Sequence, residues 1–206
     1  MRSACWGVIC AGLCTLVFSG VARAAIITFD FDARVTAVGQ VNSFGGTSIN
    51  DVFSGSFTFD STAAGPGGVY SFSGGAPIGL TTQVGNRNVA ITDFSITIRN
   101  AGGDDRYRVD GSVGSGLSEV DFFFVLYDSN GSVFSDASLP LTPPSLAEFE
   151  VNRGEIKESQ PTTLNPLTVF TITSLTVHSV PEPSSGLLLS IGVAVAALPF
   201  GRRRRP

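Results

Sequence analysis

Between Ala25 and Val180 the chain alternates apolar and polar residues with a period of two, in short runs separated by Gly, Pro, Asn and Ser. Period two sends successive side chains to opposite faces, so each run predicts a half-buried strand. The first run is the cleanest. Ile27, Phe29, Phe31, Ala33, Val35 and Ala37 share one face; Thr28, Asp30, Asp32, Arg34 and Thr36 share the other. Phe53, Gly55, Phe57 and Phe59 predict a second strand, and Val69–Phe72, Ile78–Val84, Val89–Arg99 and Tyr107–Val113 continue the series. Val120–Tyr127 is apolar at both parities, which predicts a central strand covered on both sides. Asn130-Gly131 is a strong hairpin signal, so Ser132–Phe134 is expected to run back antiparallel. Ser145-Leu146-Ala147-Glu148 has the form of a capping box and predicts one helical turn. Phe149–Lys157 predicts an edge strand. Thr168–Val180 predicts the last strand, and its change of phase between Ile172 and Leu175 predicts a bulge. Roughly nine or ten short strands without an amphipathic helix predict an all-β fold, an antiparallel β-sandwich of jelly-roll-like form.

The two ends break this pattern. Arg2, the apolar run Ala4–Phe18 and the small-residue site Ala22-Arg23-Ala24 predict a signal peptide over 1–24, with the mature chain starting at Ala25. The β-domain then occupies 25–179. The tail, 180–206, begins with Val180-Pro181-Glu182-Pro183, continues as an apolar segment to Phe200, and ends in Arg202, Arg203, Arg204 and Arg205. The two prolines favour an extended and accessible backbone. No residue between Pro183 and Arg202 is charged. As a helix this segment reaches about 27 Å, just short of a hydrocarbon core of about 30 Å. The arginines favour the cytoplasmic side, which places the body on the other side. On physical grounds alone a permanent anchor and a transient address both remain open.

Charge and cysteine content narrow the function. Cys5, Cys10 and Cys14 all lie in the signal peptide, so the mature chain is expected to have no disulfide, thiolate metal site or Cys nucleophile. The two ends also hold six of the thirteen Lys and Arg. Seven basic residues then face seventeen acidic ones between Ala25 and Pro183, a formal net charge of −10. Such a surface repels phosphate backbones and argues against a nucleic-acid partner.

The order of Val180-Pro181-Glu182-Pro183, apolar segment and terminal arginines resembles the PEP-CTERM sorting signal of bacterial proteins handled by exosortases. Thr173-Ser174-Leu175-Thr176, Phe53–Asp60 and the stretches Asp136–Leu141 and Leu146–Phe149 are similar to recurring parts of such proteins. The resemblance implies export by the Sec machinery and brief retention in the inner membrane by the tail. It also implies cleavage near the Pro-Glu-Pro by an exosortase, an integral-membrane enzyme, and release to the cell envelope, outer surface or extracellular matrix. It further implies association with exopolysaccharide in biofilms. Pro199 departs from a simple apolar helix.

Inside the body the candidate chemistry is sparse. His178 is the only histidine, and no Gly-x-Ser-x-Gly elbow accompanies it. Asp104, Asp105 and Asp110 could meet Asp128 to hold Ca²⁺, provided that the strands pair suitably. Glu119 and Asp121 share a face and could form a glycosidase pair. Tyr70, Tyr107 and Tyr127 could form a sugar-stacking platform. Asn130-Gly131-Ser132 matches a glycosylation sequon, although turn chemistry accounts for it. The expectation is a non-enzymatic surface or matrix protein with no cofactor and no catalytic or metal-binding residue. A carbohydrate- or calcium-binding module and a secreted hydrolase are the alternatives.

Overall fold

The computed structural model describes residues 26–39, 43–116, 119–159 and 166–179. The strands are β1 (Ile26–Val38), β2 (Val52–Asp60), β3 (Val69–Phe72), β4 (Gly79–Val84), β5 (Arg87–Ile91), β6 (Phe94–Asn100), β7 (Asp105–Val113), β8 (Val120–Asp128), β9 (Val151–Glu158) and β10 (Leu167–Ser179). They form one antiparallel sheet in the order β3-β6-β7-β8-β9-β10-β1-β2-β4-β5. The all-β, sandwich-like expectation holds. Two separate sheets of a jelly roll do not describe it, because the ladder is continuous from β3 to β5.

The sheet curls on itself around its phenylalanines. Phe57 of β2 lies 6.5 Å from Phe94 of β6 and 6.0 Å from Phe124 of β8, and Phe59 lies 5.7 Å from Phe72 of β3. Strands far apart in the ladder therefore meet through their inward faces, as the two layers of a sandwich do. Phe29, Phe31, Phe57, Phe59, Phe122, Phe124 and Phe170 are all essentially inaccessible to water. At one end Arg87 of β5 reaches Glu158 of β9 at 3.1 Å and lies over the ring of Phe44, closing the curl.

Glycines in strand interiors make room for this. Gly55 is paired with Phe31, Gly154 with Phe124 and Phe170, and Gly111 with Phe94 and Phe122. A Cβ on Gly55 or Gly154 would overlap the ring of Phe31 or Phe170, and one on Gly111 would meet Phe94 and Ile91. Glycine lets a sheet bend sharply, and a neighbouring aromatic ring covers the backbone left bare.

Several sequence expectations need correction. Val89–Arg99 is two strands, with β5 ending at Ile91 and β6 starting at Phe94. The buried parity switches there, from Val89 and Ile91 to Phe94, Ile96 and Ile98, as the chain crosses from one layer to the other. β8 is central, but only one of its faces is buried. Its second apolar row is half-buried beneath arginines: Arg108 lies 4.7 Å from the Phe123 ring and Arg106 5.7 Å from that of Tyr127. Long cationic stems thus cover what a second layer was expected to cover. Ser132–Phe134 forms no strand, and β9 takes the place beside β8. β9 is accordingly an interior strand between β8 and β10, not an edge. Leu146–Glu148 is a single 3₁₀ turn, but the Ser145 side chain makes no capping hydrogen bond. The predicted bulge in β10 is present: Asp32 and Ala33 face Ser174 and Ile172, leaving Thr173 as the extra residue. The signal peptide and the C-terminal apolar segment lie outside the described residues. No helix among the described residues is long and apolar enough to cross a membrane.

Gly154→Ala should destabilise the fold by about 2–3 kcal/mol, since its methyl group must displace the Phe170 ring. For a domain of this size that is a fall of roughly 5–10 °C in Tm. Gly103→Ala, with open space around it, should leave Tm near the wild-type value. Thermal unfolding followed by circular dichroism checks both.

Candidate functional site

The paired strands β7 and β8 hold Asp105, Asp110, Asp121 and Asp128. Asp105 and Asp128 lie directly opposite each other in this ladder, and both are buried. Each carboxylate grips the chain that leaves β8. Asp128 Oδ1 accepts from the Asn130 backbone N at 3.0 Å, and Oδ2 from the Ser132 N at 2.9 Å and its hydroxyl at 3.0 Å. Asp105 Oδ2 accepts from the backbone N of both Val133 and Phe134 at 2.7 Å. These bonds satisfy donors that a returning hairpin strand would have satisfied, which is the physical reason the Asn-Gly turn yields no strand. The Ser132 and then the Asn130 backbone donors hold the Asp128 carboxyl below its usual range.

The possible calcium set is thereby divided. Asp104 pairs with Arg99 at 3.2 Å. Asp110 lies further along β7 and takes Arg108 Nε at 3.1 Å and the Ser95 hydroxyl at 3.2 Å. Asp105 Oδ1 is buried without a hydrogen-bond partner. Among the described residues no group of three or more His, Cys, Asp or Glu is placed to hold a metal ion. Asn130 serves the turn as expected and also donates its side-chain amide to Glu150 at 3.2 Å.

The other candidates also disperse. Asp121 pairs with Lys157 of β9 at 3.5 Å, and Glu119 lies just before β8 rather than on it, its backbone carbonyl accepting from Ser159. The tyrosines form no platform. Tyr70 is buried and donates to the Ala137 carbonyl at 2.9 Å. Tyr107 is completely buried, and that burial pushes its phenol far above its usual pKa. Only Tyr127 faces outward, beneath Arg106. His178 is an exposed residue of β10, with Nδ1 3.8 Å from Asp30 Oδ2. The outer surface of β1, β2 and β4 carries a shallow groove of about 340 Å³ lined by short polar side chains, among them Asp30, Asp32, Ser54, Ser56 and Thr81. Ser54 donates to Asp32 at 2.8 Å within it.

The termini of the described body come together. Ile27 at the start of β1 is paired with Ser179 at the end of β10. The signal-cleavage residues Ala22, Ala24 and Ala25, the motif Val180–Pro183 and Arg202–Arg205 lie outside the described residues. The strands nevertheless deliver the chain to one place, with Ala25 directly preceding β1 and Val180 directly following β10. The length of β10 was legible in its alternation. Its neighbours were not, because nothing local states that β9 stops short of it.

Asp105→Ala leaves the Val133 and Phe134 amides without their acceptor and should cost about 1–3 kcal/mol, read from urea unfolding. For Asp128 the folded-state pKa lies below the unfolded one, so its contribution is present at neutral pH and is lost as pH falls through the folded value. Asp128→Asn should therefore flatten the acid limb of a stability–pH profile.

The family model described as the PEP-CTERM protein-sorting motif matches residues 179–205. No curated protein and no solved structure matches the chain. A PEP-CTERM sorting motif is thus present at the C-terminus, beginning at the last residue of β10, as expected of an exosortase substrate.

Proposed function

We propose that this chain is an exported, non-enzymatic protein of the bacterial surface or extracellular matrix. In this reading the Sec machinery translocates it, the tail holds it briefly at the inner membrane, and an exosortase cleaves it near Pro181-Glu182-Pro183. The observation that carries the reading is the sorting motif over 179–205, attached without a linker to a folded β-domain. The body's acidity and the absence of cysteine after residue 14 suit a domain that folds outside the cell on its hydrophobic core alone. The released body is retained with exopolysaccharide, and the polar groove over β1 and β2 offers carboxylates and hydroxyls to sugar hydroxyls. The tail's marginal apolar length favours a transient address over a permanent anchor.

The reading is tested by the intact mass of the secreted protein. Loss of residues 1–24 and of the arginine tail is expected. A secreted form that still carries Arg202–Arg205 refutes processing, and Pro181→Ala should cause the uncleaved form to accumulate in the membrane.

A further inference from the structure

β10 has a free side where it approaches the sorting motif. β9 pairs with it only from Leu167 to Phe170. At Ile172 the side chain of Asn152 takes over the role of a neighbouring strand: Ile172 N donates to Asn152 Oδ1 at 2.9 Å, and Asn152 Nδ2 donates to the Ile172 carbonyl at 2.6 Å. Beyond it, β10 continues to Ser179 with β1 on one side. Among the described residues nothing bonds to its backbone on the other. The turn Leu146–Glu148 packs beside β10 but gives it no backbone hydrogen bond.

Alternation fixes which groups are free. Val35 donates to the Asp51 carbonyl and accepts from Asn50, so the odd-numbered residues of β1 up to Val35 turn their backbone toward β2. The even-numbered ones up to Arg34 turn toward β10. After the bulge, Ser174, Thr176 and His178 stand opposite Asp32, Asp30 and Thr28 and face β1. Leu175, Val177 and Ser179 therefore turn N–H and C=O away from the sheet. Val177 is also one of the few large apolar residues left 43% exposed. A strand edge of this kind is a ready template for another strand, and folded proteins ordinarily cover or break it.

We infer that the free side of β10, Leu175 to Ser179, is where the processing enzyme docks, by adding an extended strand of its own to this sheet. This rests on the reading of the tail as an exosortase substrate. Continuity argues for the occupant: the free edge runs into the matched motif, which starts at Ser179. An enzyme gripping Val180–Pro183 must lie within a few residues of Val177, at about 3.3 Å per extended residue. Strand addition takes its affinity from the main chain, so one enzyme could hold bodies of differing sequence. The fold of the body would then take part in recognition by presenting a pre-formed edge.

The test uses the full chain co-expressed with an exosortase, with cleavage followed by intact mass over time. Val177→Pro removes an outward N–H and leaves the bonds to β1 in place, because proline is tolerated on a strand edge when its nitrogen faces away from the partner. Cleavage about tenfold slower than wild type is expected, the loss that one hydrogen bond implies. A second variant inserts six Gly and Ser residues between Ser179 and Val180, separating the edge from Val180–Pro183 without touching β10, and should also be cleaved more slowly. If Val177→Pro lowers Tm, the insertion variant decides. Wild-type rates in both variants overturn the inference while cleavage of the wild type upholds processing. A wild-type chain that is not cleaved, and that Pro181→Ala leaves unchanged, refutes the processing reading itself. Wild-type dimers that Val177→Pro converts to monomers, with cleavage unaffected, assign the edge to a second copy and overturn the inference.

Discussion

The fold depends on phenylalanine rings lying over glycines of neighbouring strands. Phe31 covers Gly55, Phe170 covers Gly154, and Phe94 packs at Gly111. A flat ten-stranded sheet would leave one row of rings in water. Where glycine takes the paired position, the backbone can bend and the ring can sit on it, and the sheet curls until its own inward faces meet. The rings then contact one another across the interior, as Phe57 does with Phe94 and Phe124. This core has no disulfide to assist it, since every cysteine precedes residue 15.

The curl decides which segments carry regular backbone pairing and which rely on side chains. After β8 the chain leaves the sheet until β9, and Asp105 and Asp128 satisfy its amides in place of a strand. At Ile172, the side chain of Asn152 in β9 supplies both a donor and an acceptor where the backbone of β9 no longer pairs with β10. Each of these is a polar side chain substituting for a missing ladder, and each answers the requirement that buried backbone groups be paired. Of the carboxylates that composition offered as ligands or acids, Asp104, Asp105, Asp110, Asp121 and Asp128 are engaged in this way or in ion pairs. Structural duty accounts for Asp104, Asp110, Asp121 and Asp128.

The same arrangement connects the body with its tail. β1 and β10 are adjacent in the middle of the sheet, and the chain enters and leaves the body at their common end. The motif over 179–205 therefore begins within a strand of the folded sheet. The first residue of the matched motif is the last residue of β10.

Period-two alternation located nearly all the strands, because a half-buried strand has to write its two faces into the sequence. The phase shift at Thr173 revealed the β10 bulge for the same reason, and the tail motif was legible because it consists of contiguous residues. What only the tertiary structure decided was adjacency. Whether Asp105 meets Asp128, whether Val89–Arg99 breaks to change layers, and whether Phe123 lies under an arginine or a second sheet are matters of which strands become neighbours. So is the position of β9 inside the sheet, and so is the bare side of β10 beyond it. Strand pairing brings together residues far apart in the chain, and alternation within one strand carries no information about the strand beside it.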